Sequence, residues 1–415
     1  MRVLLWHGYL LGGTGSNVYT RSLAKAWSRL GHEVVVFCQE PHPELYDLDG
    51  ATVVRPDLGG GALPVFVLDR YEDLEARYLQ DLSREEREAF VERNAAAVRA
   101  ELPADFLLVN HVLLGAPVGA AVGTAFAVKA HGSELEFSIR GRPELAGWAR
   151  ATLADADAVY AGSEHVRQVL ADVVGPGDYL DRVRVVPPGV DVDDLRPEPR
   201  EEALAGLVAE AERDPPNPGG ARERFPDEGN AARLEAFLSR AEPTVVYVGK
   251  LSPEKGVHVL LEALRAVDAR AVVVGFGPAR RALERDAGER VLFTGPLEHR
   301  HLKHLWPLAD VSVTPSVFPE AFGMVAAEAA ACGSPPLVAR HSGLAEVAAG
   351  LEAEYPPEHR ALATFTSGDA DDLGRTLRAI LALPPDEWRR LSAAARRAAE
   401  TRWSWERIAA LILSS

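Results

Sequence analysis

Cysteine is almost absent from this 415-residue chain: there are 2, Cys38 and Cys332, each set beside apolar residues. So few cannot make a multi-bridge framework, which excludes a disulfide-stapled scaffold and suits a reducing cytoplasm. Basic charge is also in deficit. Lys plus Arg number 45 against 61 for Asp plus Glu, a formal net charge of -16, so the extended positive footprint that nucleic acid requires is missing. Any polyanion it binds is small and locally handled. No apolar run approaches the ~18 residues of a membrane-spanning helix. The opening MRVLLWHGYLLGG has one basic residue, four apolar ones and no small-residue cleavage site after them, which reads as no signal peptide. Hydrophobic residues at 47% and charged residues at 26% are ordinary globular values. The expectation is a folded, cytoplasmic protein, too long for one core at ~100–200 residues per domain.

Short β-branched runs recur with helix-like sequence between them. In the first half these are Val3–Trp6, Glu33–Phe37, Phe106–Val109, Phe126–Lys129, Ala158–Ala161 and Val183–Val186; the second half has Thr244–Val248, Ala271–Val274, Val291–Phe293, Val311–Thr314 and Pro336–Ala339. This alternation predicts an α/β protein with two successive units of parallel strands and crossover helices. The acidic stretch between them contains Asp214–Gly220, whose prolines and glycines end helices, flanked by two helix-like segments. It reads as a small helical insertion over 197–242. The end of the chain is helix-like and rich in indole (Trp388, Trp403, Trp405), so it should dock on something apolar. Ligands of doubly wound sheets bind at the carboxyl ends of the strands, and two such domains facing each other would bind them in the cleft.

The loops after strands carry the chemistry. After the first strand, Gly12, Gly13 and Gly15 leave amides open at a helix start, where an anion or a sugar ring can approach. Val18 occupies the third glycine position of a dinucleotide fingerprint, so that reading fails; a plain flexible turn is the alternative. The second half opens with a strand and then Gly249-Lys250-Leu251-Ser252-Pro253-Glu254-Lys255-Gly256, which is not a P-loop but puts two ammonium groups in one turn. They could meet a diphosphate, or be surface lysines. Further on, Glu320 lies on a loop closed by Pro319 and Gly323, facing the same space as the open amides of Phe322, Gly323, Met324 and Val325. Glu328 is the sole charge in an Ala/Val helix that reads as buried all round, so it needs a polar partner. Asp191-Val192-Asp193 has a D-x-D spelling, and His299, His301 and His304 cluster, but a loop and a solvated or packed helix face explain them without metal.

These motifs resemble glycosyltransferase family 4, enzymes of the GT-B fold that transfer a sugar from a nucleotide donor with retention. The resemblance spans nearly the whole chain and rests on Gly12–Gly15, His131-Gly132-Ser133-Glu134, Pro188-Gly189-Val190-Asp191, Gly249–Gly256, Val274-Gly275-Phe276-Gly277-Pro278 and the Glu320-x7-Glu328 pair. It implies two Rossmann-like domains: an acceptor domain over 1–196, with a terminal helix of about 398–415 packed back on it, and a nucleotide-sugar domain over 243–397. Glu320 would then hold the donor sugar's hydroxyls, Glu328 the ribose, and Lys250 and Lys255 the diphosphate. His131 would sit near the sugar, with Gly13, Gly15, Gly249, Gly275 and Gly277 lining the donor. Asn110, His111 and Glu134 are acceptor-side candidates, with capping and loop packing as the alternative. Lys250 stands where the family usually has Arg, Pro188 where Asn is common, and Ser342 where a Gly-Gly pair is usual. No metal and no cofactor is implied, since the two lysines and a helix end can neutralise a leaving diphosphate. Ser83–Leu102 mixes acids and bases without a cationic stripe, favouring a small soluble sugar or natural-product acceptor over a lipid. The other classes are a GT-B epimerase or phosphorylase-like enzyme, and a non-catalytic sugar-nucleotide-binding module.

Overall fold

The computed structural model describes residues 1–66, 74–217 and 225–414. The chain divides into two compact units, Met1–Gly189 with Trp405–Ser415, and Val190–Ser404. In the first, the strands are β1 (Arg2–Trp6), β2 (Glu33–Phe37), β3 (Thr52–Val54), β4 (Leu63–Val65), β5 (Ala76–Tyr78), β6 (Phe106–Asn110), β7 (Ala127–Lys129), β8 (Ala158–Ala161) and β9 (Val183–Val185). Seven form a sheet in the order β3-β2-β1-β6-β7-β8-β9, with β4 and β5 as a separate ladder. All these pairings are parallel. Such a sheet is covered on both faces, and β1 shows how: Val3 and Leu5 pack with Tyr19, Leu23 and Trp27, while Leu4 and Trp6 pack with Phe90, Val98 and Leu113.

The second unit repeats the plan with β10 (Thr244–Val248), β11 (Arg270–Val274), β12 (Val291–Phe293), β13 (Val311–Thr314), β14 (Pro336–Ala339) and β15 (Thr364–Phe365), in the order β12-β11-β10-β13-β14-β15. Where the expected strands occur, their bounds agree to within a residue. The strands missed are β3, β4, β5 and β15, each of three residues or fewer and too short for a pattern to show. The strand order reverses between β1 and β6 and again between β10 and β13, so the loops after those four strands lie at the switch points where doubly wound sheets bind ligands.

The segment expected as an insertion is built into the second unit. Ala203, Leu207 and Ala211 of the helix Arg200–Ala211, and Leu234 of the helix Asn230–Leu238, join that unit's core. Arg300, on the helix His299–Leu305, bonds Glu210 and Asp214. Of Asp214–Gly220, residues 218–220 lie outside the described residues.

The last helix, Trp405–Leu413, belongs to the first unit. It buries Trp405, Ile408, Ala409 and Ile412, the i, i+3, i+4, i+7 stripe of an amphipathic helix. Trp27 Nε1 donates to the Ala409 carbonyl at 3.0 Å and Tyr160 Oη to that of Ile412 at 3.1 Å. A Cβ at Gly189 would come 2.4 Å from the Trp405 ring, so this residue has to be glycine. Trp405→Ala should cost about 3–5 kcal/mol of stability, as for other buried tryptophans, read as a lower denaturant midpoint. An unchanged midpoint would show that the helix is not part of this core.

Candidate active site

In the second unit the loops after β10 and β11 meet backbone to backbone. Gly275 has φ +139, and a Cβ there would lie 1.8 Å from the Gly249 carbonyl; at Gly277, φ +154, it would lie 2.3 Å from that of Leu251. Only glycine tolerates this approach. The Gly249–Gly256 loop is also tied to the loop after β13: the amides of Val317 and Phe318 donate to the Glu254 carbonyl at 2.9 and 3.2 Å. Gly256, φ +68, lies against the Pro315 carbonyl. As a result Lys255 Nζ reaches Glu320 Oε1 at 2.5 Å, and both side chains are partly open to solvent. Lys250 is exposed in the same loop, its carbonyl accepting from Tyr247 Oη at 2.9 Å.

Glu320 precedes the helix Met324–Ala331, whose N-cap is Gly323 at φ +118, with no side-chain cap and no acidic residue in its first turn. A second helix, Ser342–Glu354, starts against it: a Cβ at Gly343 would strike the Ala321 carbonyl, and one at Gly323 would strike Leu344. Two helix starts, each worth about half a positive charge, therefore lie beside Lys255 and Glu320. The sequence predicts Met324–Ala331 buried on every side. The alanines are buried, but Met324, Val325 and Glu328 are half-buried, because positions i, i+1 and i+4 share the one face that the core does not cover. Phe322 is a core residue whose ring packs on Trp403, with centroids 6.0 Å apart, so only its backbone is available to a ligand.

In the first unit, Gly13 (φ +94) and Gly15 have open space where a Cβ would stand, and the helix Gly15–Arg29 starts without a side-chain cap. The loop is pinned from behind: Asn17 Nδ2 donates to the Gly12 carbonyl, and the Leu11 amide to Glu40 Oε2 at 3.0 Å. At the switch point His7, His111 and His131 gather, His111 lying 5.5 Å from His7 and 4.7 Å from His131 between ring centroids. Tyr9 and Phe66 also pack on His111, and Tyr19 on His131. Asn110 Oδ1 is 2.8 Å from His131 Nε2. Burial, with His111 close by, pulls the His7 ring down to about 3, and burial with His111, Lys129 and His7 holds His131 well below the usual imidazole value. Glu134 is fully buried and accepts backbone amides from Val112 (2.9 Å), Leu113 (3.2 Å) and His131 (3.0 Å). It fixes the loop rather than facing a ligand.

The family model for Glycosyltransferase Family 4 matches residues 13–194, and that for Glycosyl transferases group 1 matches residues 233–398. The chain belongs to the family 4 glycosyltransferases. This family 4 chain is 33% identical over 274 residues to a D-inositol 3-phosphate glycosyltransferase of Xylanimonas cellulosilytica, covering 63% of this chain and 57% of that protein. It is 38% identical over 188 residues to a GDP-mannose-dependent alpha-(1-6)-phosphatidylinositol dimannoside mannosyltransferase of Mycobacterium tuberculosis, covering 42% of this chain and 45% of that protein. It thus spans about half the length of these relatives. Among solved structures, sucrose-phosphate synthase of Thermosynechococcus elongatus superposes with a TM-score of 0.67 at 22% identity, covering 99% of this chain and 97% of that one. Anabaena HepE in complex with UDP does so with a TM-score of 0.68 at 17% identity, covering 100% and 99%. The fold is GT-B.

In this family 4 chain the resemblance drew attention to Lys255 and Glu320, which meet, and to Asn110, His111, His131 and Glu134, which cluster. The D-x-D spelling is a turn in which Asp191 Oδ1 accepts from the amides of Asp193 (3.2 Å) and Asp194 (3.1 Å). The three histidines of the helix His299–Leu305 turn to separate carboxylates, His299 to Asp194, His301 to Asp214 and His304 to Glu198. No set of three or more His, Cys, Asp or Glu able to hold a metal occurs among the described residues. Residues missed in the sequence are Ser316 and His341 around Glu320, and His7, Tyr19 and Lys129 near His131; Ser342 shows there only as a departure from the usual Gly-Gly pair. His7, first after β1, and Ser316, in the loop after β13, carried a positional signal at the switch points.

Lys129 is buried, bonded to the Val186 carbonyl at 2.9 Å and under the Tyr19 ring at 5.1 Å, and burial lowers its ammonium to about 7. An unfolded lysine holds its proton up to ~10.4, so between these values the unfolded chain binds more protons and folding gains stability as pH rises. Relative to Lys129→Met, wild-type stability should climb by about 1.4 kcal/mol per pH unit between roughly pH 7.5 and 9.5, measured by denaturant unfolding. A flat difference would refute this.

Proposed function

We propose that this chain is a retaining glycosyltransferase that moves a hexose-type sugar from a nucleoside-diphosphate sugar to a hydroxyl acceptor. The observation that carries the reading is the Lys255–Glu320 pair beside two adjoining helix starts. Breaking the bond between the sugar and the diphosphate builds about two negative charges on the leaving group. Lys255, Lys250 and the open amides after Gly323 supply preorganised positive charge where they arise. With that charge provided, no metal is invoked. Glu320 holds sugar hydroxyls, and Glu328, on the uncovered stripe one turn on, holds the ribose. The donor is assigned to the second unit, and the acceptor, with His131, to the first. Glu134 is committed to three backbone amides, so it is no nucleophile, and retention is ascribed to front-face substitution in which a leaving phosphate oxygen takes the acceptor's proton.

For the acceptor, the relatives named for inositol 3-phosphate and phosphatidylinositol dimannoside point to a polyhydroxylated ring. We favour a soluble one in the cytoplasm. Three of the four arginines in the helix Arg84–Ala100 are paired with acids, Arg84 with Glu88, Arg87 with Glu144 and Arg99 with Glu92, which limits the positive charge that could draw it to an anionic membrane. No helix among the described residues is long and apolar enough to cross a membrane.

A thermal-shift screen of UDP-glucose, GDP-mannose and ADP-glucose should pick out the donor, since a ligand at 100 times its Kd adds ~2.7 kcal/mol. Lys255→Ala and Glu320→Ala should fold and lose about 10²–10³-fold in kcat with that donor, the cost of one preorganised group. Wild-type rates in both, or a product in which the sugar is epimerised or passed to inorganic phosphate, would overturn the assignment.

A further inference from the structure

The loops after β13 and β14 are joined by a closed circuit of hydrogen bonds. The Glu320 amide donates to Ser342 Oγ at 2.8 Å. His341 Nε2 lies 2.6 Å from the Ser316 carbonyl, which can only accept, so Nε2 carries the hydrogen. With Nε2 carrying the ring's one hydrogen, Nδ1 is an acceptor, and Ser342 Oγ, 2.9 Å away, donates to it. Ser316 Oγ donates to Glu320 Oε1, which returns the circuit to the residue where it began. Lys255 adds a second donor to the same oxygen. Oε1 is thereby occupied, and Oε2 has no hydrogen bond among the described residues.

Ser342 stands at φ +46, a left-handed backbone that disfavours side chains other than Gly, Asn and Asp. Glycine, which the family resemblance places here, would relieve that conformation but could neither accept from the Glu320 amide nor donate to His341. Strain retained at a polar side chain in a ligand loop points to a role for its hydroxyl.

We propose that Ser342, His341 and Ser316 form a positioning device that holds Glu320 Oε1 inward and leaves Oε2 as the single acceptor offered to a hydroxyl-bearing ring. This rests on the donor reading of Glu320 above. Ser342, His341 and Ser316 are positioning residues; of these four only Glu320 touches the ligand.

The test uses the full chain with Ser342→Gly, Ser316→Ala, His341→Ala, His341→Gln and the Ser316→Ala/Ser342→Gly double variant. Kinetics are run with whichever of UDP-glucose, GDP-mannose or ADP-glucose is turned over. Each alanine or glycine variant should lower kcat about tenfold or more with a smaller change in KM, as expected for a lost hydrogen bond to a charged group. The double variant should be little worse than either single, because one circuit is broken in all of them. His341→Gln, whose amide can still donate to the Ser316 carbonyl, should lie nearer wild type than His341→Ala. Ser342→Gly should not lower the thermal midpoint. Independent of activity, the Glu320 amide should exchange faster in Ser342→Gly and His341→Ala, and ring nitrogen NMR at pH 8 should show His341 as the Nε2–H tautomer. Additive losses, a wild-type rate in Ser342→Gly, unchanged amide exchange or the opposite tautomer would overturn the proposal. If none of the three sugars is turned over, the donor reading falls, and exchange and tautomer alone decide whether the circuit exists.

Discussion

Lys255 and Glu320 are 65 residues apart in the chain and 2.5 Å apart in space because β10 and β13 lie side by side in the sheet. That adjacency is the constraint on which the rest of the second unit's chemistry depends. Parallel strands send all their carboxyl ends the same way, and reversing the order between β10 and β13 parts the crossover helices to either side. The two loops at that point have no helix between them and can touch. The touching is backbone work: Gly256 lies against Pro315 and the Glu254 carbonyl takes two amides from the opposite loop, while on the other side Gly275, after β11, lies against Gly249. Side chains larger than hydrogen at those glycines would push the loops apart and part the ion pair with them.

The two units treat buried polarity differently. In the second, charge at the site is paired but partly wet, so an anionic ligand can compete for Lys255 at modest cost. In the first, the polar groups are drawn deep. Glu134 has no exposure and is satisfied by backbone amides, Asn110 and His131 satisfy each other, and Lys129 has a carbonyl and an aromatic face in place of a carboxylate. Removal from water then keeps the imidazoles of His7 and His131 neutral.

Much of this was readable in the sequence, for physical reasons. Strands such as Glu33–Phe37 and Thr244–Val248 are fully buried β-branched runs, and their signal is local. The loop glycines are legible because close approach and positive φ admit little else. What failed to show depends on direction. Glu134 sits in a polar His-Gly-Ser-Glu string that reads equally as acceptor lining or as loop capping, and it turns inward because three amides at the loop's hollow side need an acceptor. Phe322 neighbours the helix start but points its ring to Trp403. Met324, Val325 and Glu328 looked buried because an alanine-rich helix shows no periodic contrast to mark its open face. Ser316, His341 and Ser342 are ordinary residues until the backbone angle at Ser342 aims them at one another.

The first unit is discontinuous along the chain, closing only when the helix Trp405–Leu413 covers the face that holds Tyr19, Trp27 and Tyr160. During synthesis the residues up to Gly189 emerge early, with that apolar face bare until the second unit and the helix Trp405–Leu413 have been made. The nascent protein must therefore carry a sticky, half-finished sheet while the whole second unit is translated, and a chain cut before Trp405 cannot complete it.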